Sequence, residues 1–435
     1  MYRINPFVRV FERNNIKALF NTLTLKTLYL TDEVYNNLLR DIDSDLIKEG
    51  FIVPPEFEAL SYFTQNHPRQ KDRNISVAYF LLTSICNFRC KYCFVETRIE
   101  NHTNAIMSED VAERGIQLLR RNLEPNKEVS IVFYGGEPFL NFKVLKYIVN
   151  RVKELNISAK FIVVSNGSIC NDEIIDFIKS NQFEIGISLD GLQDTNDSMR
   201  IDEFNRGTYL RAESTIAKLV ENGVRTSVSC TISKHNTDEP SEILALLDKY
   251  NIRGFGYNTP ADNENIIFTT DEKKIMVSNL MKAEDIIFDR RIVEDRIINR
   301  RMKAFVEKRK WIKDCAGYGH QIAITPTGKV GVCHGLWPDE INQKNCSYYD
   351  IDVDYEGKIT EHPSWKEWYM RMPFNMPQCW NCDAISLCGG GCAKNSFIRH
   401  GSIWDLDEDI CILMKEVVPW VIWKYFDVKV KQYFV

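Results

Sequence analysis

The chain has 435 residues, with 55 Lys or Arg against 60 Asp or Glu and a formal net charge of −5, so it carries no basic field of the kind that binds nucleic acid. Its 44% hydrophobic content suits a globular protein with a large core, and no apolar run approaches the ~20 residues that span a bilayer. The N-terminal Met1-Tyr-Arg-Ile-Asn-Pro-Phe7 lacks the apolar stretch of a signal peptide, and thirteen cysteines without an export signal predict metal binding in a reducing cytoplasm, not a disulfide scaffold.

Residues 1–75 read as a small α+β unit. Val8–Glu12, Lys17–Phe20 and Thr27–Leu30 are short strand candidates, and Asp32–Leu39 is a helix opened by Thr31 as N-cap. A second helix near Asp45 and a strand at Phe51–Val53 complete a winged-helix-like pattern. The unit either caps the open side of a barrel or offers a strand edge to an extended peptide.

From residue 77 to 258 strand-like runs alternate with amphipathic helices. The strands are Val77–Leu82, Val129–Tyr134, Phe161–Val164, Ile185–Leu189, Thr226–Cys230 and Gly254–Tyr257; stretches such as Glu109–Leu119 and Val144–Val152 carry the 3-4 spacing of helices. Six β-α repeats are too few for a closed eight-stranded barrel. The expectation for residues 76–260 is an α/β fold, a partial, laterally open (β/α)6 barrel, with its chemistry at the C-terminal strand ends.

The candidate site residues sit at those ends. After the first strand, Cys86, Cys90 and Cys93 form a C-x3-C-x2-C triplet, three thiolates where a cubane iron-sulfur cluster takes four. One iron is then open to a small molecule bearing an amine and a carboxylate. Structural zinc, which wants four ligands in paired hooks, fits this triplet poorly. After the second strand, Gly135 and Gly136 would let backbone approach a ligand, and Glu137 can accept hydrogen bonds from an ammonium. Ser165 and Asn166 end the third strand, and Ser188 and Asp190 follow the fourth, where a hydroxyl and a carboxylate suit a ribose. Arg200 can pair with a ligand carboxylate. Asp190 and Arg200 can equally be a cap or a surface ion pair.

Residues 261–312 read as a linker whose Asp271–Lys310 stretch is one long, charged, solvated helical face. Residues 313–435 hold a second cysteine province: Cys315, Cys333, Cys346, Cys379, Cys382, Cys388, Cys392 and Cys411. Within it Cys379 to Cys392 are spaced C-x2-C-x5-C-x3-C, and Gly389-Gly-Gly391 permit tight turns. A zinc ribbon would use the C-x2-C pair but leave Cys315, Cys333 and Cys392 without a shared purpose. Cys230, in an apolar strand, reads as core, and Cys170 as either exposed or packed.

The triplet with its trailing Tyr92 and Phe94, and the Gly135-Gly-Glu-Pro138 turn, resemble the radical S-adenosylmethionine (SAM) enzymes. The C-terminal pattern resembles their seven-cysteine SPASM extension. The resemblance implies SAM and three 4Fe-4S clusters, one binding SAM and two auxiliary. It places Tyr92, Gly135, Gly136, Glu137, Ser165, Asn166, Ser188, Asp190 and Arg200 at SAM; it gives Cys379, Cys382, Cys388 and Cys411 to one auxiliary cluster and Cys315, Cys333 and Cys392 to the other. Cys346 would complete the second set. If it does not, an open iron there can bind a substrate thiolate, a soft ligand. The resemblance also implies a ribosomally made precursor peptide as partner, its leader met by residues 1–75, and an external electron donor such as a flavodoxin or ferredoxin. The activity implied is peptide maturation by a thioether or carbon–carbon cross-link. Formylglycine formation as in anaerobic sulfatase maturation, and a non-catalytic iron-sulfur or zinc scaffold, remain the alternatives.

Overall fold

Runs rich in Val, Ile and Phe without polar alternation suit parallel strands covered on both faces, and all six predicted runs form such strands. The computed structural model describes residues 2–40, 43–70, 73–93, 104–234, 236, 240–252, 254–258, 268–290, 294–295, 298–336 and 348–434. It opens with β1 (Arg3–Ile4), β2 (Val8–Arg13), β3 (Ile16–Asn21), β4 (Thr27–Thr31) and β5 (Ile52–Val53). The predicted strands follow as β6 (Val77–Leu81), β7 (Val129–Tyr134), β8 (Ala159–Ser165), β9 (Glu184–Ser188), β10 (Arg225–Thr231) and β11 (Gly254–Asn258). β6 to β11 pair in parallel with their neighbours in chain order. This is the predicted α/β partial barrel.

The helices between them follow from capping and patterning. Helix Glu109–Asn122 starts where the Ser108 side chain accepts from the Val111 N–H, with acidic Glu109 and Asp110 in its first turn and Arg120 and Arg121 in its last. Those charges complement the helix dipole. Its Ala112, Ile116 and Leu119 are buried. Gly115 lets the helix lie close on the sheet, since a Cβ there would stand 3.2 Å from Phe80 and 3.0 Å from Ile324.

The sheet runs past the predicted barrel at both ends. Glu294–Asp295, read from sequence as part of one long charged helix, is instead β12, parallel to β11. The helical stretch is split into Thr270–Arg290 and Ile298–Val306. Pairing with an open parallel edge uses backbone only, so two acidic residues can make a strand without any β-type side chains. At the other end β13 (Gln321–Ile324) pairs parallel with β6, and β14 (Lys329–Gly331) and β15 (Ile351–Asp352) continue antiparallel. The cysteine-rich region is thereby built onto the barrel sheet itself.

Residues 1–75 contain the predicted strands as the sheet β2-β3-β4, with Thr31 capping helix Asp32–Asn37. The predicted strand at Phe51–Val53 is β5 and the predicted helix near Asp45 is Ser44–Lys48; the sequence reading missed β1, the antiparallel partner of β5, and helix Ala59–Gln65. This unit is fastened to the C-terminal part of the chain. The Tyr29 hydroxyl donates to the Ile422 carbonyl at 2.7 Å, Arg13 makes two bonds to Asp427, and Arg9 donates to Asp383 at 2.6 Å and to the Asn381 carbonyl at 3.0 Å. One hydrophobic core runs from Phe20 and Tyr29 through Phe80 and Phe133 to Trp365 and Val417. Among the described residues no helix is long and apolar enough to cross a membrane.

Candidate active site

The cysteine loop leaves the C-terminal end of β6 and is tied down along its length. Cys86 Sγ accepts from the Phe88 N–H at 3.4 Å, and the Cys93 N–H donates to the Cys90 carbonyl at 3.0 Å. The Arg89 and Lys91 N–H groups donate to the carbonyls of Ile201 (2.7 Å) and Met199 (3.0 Å), so the segment around Arg200 serves as a backbone rail for the loop. All three cysteines are half-buried. Burial pushes the Cys86 and Cys90 thiols up to about 12. They become thiolates only when a cation takes the place of the proton.

The turn after β7 lies directly on this loop. The Gly136 N–H donates to the Thr83 carbonyl at 2.7 Å and the Glu137 N–H to that of Ile85 at 2.9 Å. A Cβ on Gly135, whose φ is +134°, would stand 2.4 Å from the Thr83 oxygen, and one on Gly136 2.1 Å from that of Ile85. The sequence reading has these glycines admitting a ligand; the close approach they permit is to the chain's own backbone. Beyond them Glu137 is fully buried. Its carboxylate accepts from Ser165 Oγ (2.9 Å), the Asn166 N–H (2.8 Å) and the Phe139 N–H (3.2 Å). Burial outweighs these donors and raises its pKa to about 7. Asn166 closes the circle through its Nδ2, 3.5 Å from Cys86 Sγ.

Across the site Asp190 and Arg200 are bound to each other, with Nε–Oδ2 at 2.9 Å and Nη2–Oδ1 at 3.1 Å. Both are buried, so this is neither a surface pair nor an arginine held open for a ligand. Asp190 also accepts from the Tyr92 hydroxyl and from the Thr231 N–H (2.9 Å), while Arg200 Nη1 lies 4.0 Å from Cys90 Sγ. The two residues position Tyr92 and Cys90. Ser188 ends β9 half-buried, in register with Ser229 of β10.

The sequence marks His334, like His320, as a residue near the auxiliary cysteines that could move a proton but is more often structural; it shows neither the packing of His334 nor a cavity in the barrel. His334 enters the barrel and stacks on Tyr79 (centroids 4.0 Å apart, 11° between planes), edge-on to Tyr134 at 5.3 Å. Burial lowers its pKa to about 3, so it is neutral at pH 7. Tyr134 in turn is raised to about 12, first by burial and then by the nearby Cys93. Separately, a cavity of about 250 Å³ opens on the inner face of β8 to β11, lined by Ile162, Val164, Gly186, Ser227, Ser229 and Gly256. The two glycines leave space that side chains would fill. His320 has its Nδ1 2.8 Å from the Asn74 carbonyl, a structural contact. Cys230 is buried and Cys170 half-buried.

The C-terminal cysteines fall into two groups by their mutual electrostatics. Cys411 is raised first by burial, then by Cys388, Cys379 and Cys382. Cys315 is exposed as a residue, yet its sulfur is enclosed enough for burial to raise the thiol, with Cys333 and Cys392 next. Cys346 lies outside the described residues. Among the described residues no three His, Cys, Asp or Glu side chains converge enough for a single metal ion, which holds its thiolates about 2.3 Å away. Thiolates are the ligands that iron-sulfur clusters take, and the thiols within each group raise one another's pKa. Gly389, Gly390 and Gly391 all have positive φ (79°, 91° and 70°), and a Cβ on Gly389 would stand 2.8 Å from the Asp314 backbone nitrogen. The turn between Cys388 and Cys392 therefore requires glycine.

Comparison with known proteins places this geometry. Residues 80–247 match the Radical SAM superfamily. The chain is 22% identical to the radical SAM cyclopropyl synthase TigE of Paramaledivibacter caminithermalis, over 93% of this chain and 88% of TigE. It is also 22% identical to a cysteine-type anaerobic sulfatase-maturating enzyme of Clostridium novyi, over 74% and 89% of the two chains. Among solved structures the fold is similar to anSMEcpe with bound AdoMet (TM-score 0.68, 18% identity, 82% of this chain and 98% of the other). It is similar too to Streptococcus suis SuiB bound to its precursor peptide SuiA (TM-score 0.53, 14% identity, 94% and 100%).

Proposed function

Because residues 80–247 form a radical SAM domain, in an enzyme whose relatives modify peptides and proteins, we propose that this chain is a maturase of a ribosomally made precursor peptide, closing a thioether or carbon–carbon cross-link. A 4Fe-4S cluster on Cys86, Cys90 and Cys93, with SAM, supplies the 5′-deoxyadenosyl radical that removes a hydrogen atom from the substrate. The chain's own residues do the aiming. Glu137, fixed by Ser165 and Asn166, would hold the SAM amine, and its raised pKa relaxes when an ammonium arrives beside it. Asp190 and Arg200 hold Tyr92 and Cys90 in place. The cavity along Ser227 and Ser229 would take the peptide segment that reacts.

The C-terminal cysteines would hold two auxiliary 4Fe-4S clusters, which would supply one-electron redox chemistry beside the barrel, with a flavodoxin or ferredoxin as the external electron donor. The domain division that goes with this reading is a leader-binding unit (1–75), the radical SAM barrel (76–260), a linker (261–312) and the auxiliary region (313–435). In the first, β2 and β4 are the edges of the three-stranded sheet among the described residues, where a leader peptide can add by backbone pairing.

The observation that carries the proposal is the arrangement of cysteines: one triplet at a strand end of the barrel, and two further groups on the same sheet's extension. The peptide reading has the wider likeness, SuiB with its precursor peptide over 94% of the chain; sulfatase maturation is the second reading, favoured by the Clostridium novyi relative and by the higher TM-score of anSMEcpe, 0.68 against 0.53. Anaerobic incubation of the reconstituted enzyme with SAM, reductant and the short peptide encoded beside its gene tests it. A peptide lighter by two hydrogens, with matching 5′-deoxyadenosine, is the expected result. An unchanged peptide beside a sulfatase peptide converted to formylglycine would overturn it.

A further inference from the structure

A buried cation without a carboxylate stands among the auxiliary cysteines. Arg371, just after helix Pro363–Met370, is 0% exposed. A guanidinium has five N–H donors, and here all five meet neutral oxygens. Nε donates to the Ile403 carbonyl, Nη1 to the Tyr318 hydroxyl (2.7 Å) and the Gly390 carbonyl (2.7 Å), and Nη2 to Ser396 Oγ (3.1 Å) and the Asp405 carbonyl (3.1 Å). Among the described residues no carboxylate forms a salt bridge with it, in contrast to Arg200 with Asp190 at 2.9 Å. The position is shaped for it: a Cβ at Gly390 would lie 3.1 Å from Nη1.

Arginine cannot release its proton to escape burial. Its charge must then be met by anions further off, and those in range are the cysteine thiolates and the Asp407 carboxylate. Gly390 lies between Cys388 and Cys392 in sequence. The ring of Tyr318, 5.6 Å from the Arg371 guanidinium, is close enough to Cys315 and Cys392 to feel their charges. Cys379, pushed up by burial and by Cys382, is drawn back down by Arg371. Asp407, whose carboxylate accepts from the Cys392 N–H at 2.8 Å, also lies within range of the guanidinium. Its hydrogen bond to the Gly390 carbonyl sets the guanidinium against a turn two residues from Cys388 of one group and two from Cys392 of the other.

We propose that Arg371 is a positioning residue serving as the shared countercharge of the two auxiliary iron-sulfur centres, holding their reduction potentials up by favouring the more negative, reduced form of each. Net charge and the surrounding hydrogen bonds are what tune such potentials. The inference rests on the reading that both cysteine groups hold clusters.

The test is an EPR-monitored redox titration of anaerobically reconstituted full-length Arg371→Gln and Arg371→Lys beside the unaltered enzyme, with iron and sulfide content measured on each. Arg371→Gln is expected to disfavour reduction of the auxiliary centres at least tenfold, about 59 mV for one electron. Arg371→Lys, which keeps the charge and loses the fork, should stay close to the unaltered potential, and the SAM-binding centre should be unmoved in both. Auxiliary centres that titrate unchanged in Arg371→Gln overturn the proposal. Equal loss of the auxiliary signals from both variants also overturns it, in favour of a packing role. Iron for a single cluster in the unaltered enzyme would instead remove the cluster reading itself, and the proposal with it.

Discussion

The two cysteine regions solve the burial of charge in opposite ways. Beside Cys90 the cation Arg200 comes already neutralised, held in two bonds by Asp190. Among the C-terminal cysteines Arg371 has only neutral oxygens around it. A neutralised pair fixes geometry and leaves the local field nearly unchanged, which suits a site whose task is to place one small molecule. An uncompensated cation is a standing field, which suits centres whose task is to take up an electron. The regions differ in backbone too. The first packs its cysteines within eight residues at one strand end, while the second gathers them from residue 315 to residue 411 through a glycine turn and a sheet extension.

The largest effect that separates the regions is expected from Cys86→Ala. SAM cleavage, followed as 5′-deoxyadenosine by chromatography, should fall below detection, while the iron and EPR signals of the auxiliary centres persist. Loss of all three signals together would show that the regions assemble as one unit. Next comes Asp190→Asn, which strips Arg200 of its partner and leaves a buried charge uncompensated. Breaking such a pair costs about 3–5 kcal/mol, read by denaturant unfolding of the cluster-free protein. Arg200 and Asp190 replaced together by a neutral pair should recover much of that loss.

A smaller effect depends on pH. Burial raises the Glu137 pKa from 4.5 to about 7, so the folded chain holds a proton that the unfolded chain gives up. The stabilisation from that proton is complete below pH 4.5 and is lost as pH rises towards 7, by about 3 kcal/mol at ~1.4 kcal/mol per pH unit. Glu137→Gln should flatten this segment of the unfolding free energy of the cluster-free, SAM-free protein. A slope unchanged by the substitution would mean that Glu137 is already ionised in the folded state.

Much of the first region is legible in the sequence; of the second, the cysteines and their glycine turn are, and the buried arginine is not. C-x3-C-x2-C is a local spacing, and a strand-turn pattern places it without reference to the rest of the chain. Glu137 is legible for the same reason. The pairing of Asp190 with Arg200 is not, because helix Gln193–Met199 separates them and spacing alone leaves the arginine equally free for a ligand. Arg371 stands in an ordinary Met-Arg-Met context. Its burial depends on carbonyls of residues 390, 403 and 405, which only the folded chain brings together. β12 escaped because an edge strand made by backbone pairing needs no apolar signature, and the packing of His334 because its partners Tyr79 and Tyr134 lie some 200 residues away or more.

The smallest effect sharpens the comparison from the outside. Arg9 reaches from β2 to Asp383, the neighbour of Cys382, at 2.6 Å, with both side chains partly exposed (27% and 49%). Water screens such a pair, and its loss costs at most about 1 kcal/mol. Arg9→Gln should therefore leave unfolding nearly unchanged. It should also leave the auxiliary potentials where they are, since a solvated guanidinium contributes little field at a buried centre. Arg9 reaches the auxiliary cysteines from β2 and Arg371 lies among them, both with the same charge, so a potential that moves with Arg371 and not with Arg9 would assign the effect to burial. A potential that moves equally with both would make it a matter of net charge, and the contrast between the paired arginine of the barrel and the unpaired one beyond it would lose its electrostatic meaning.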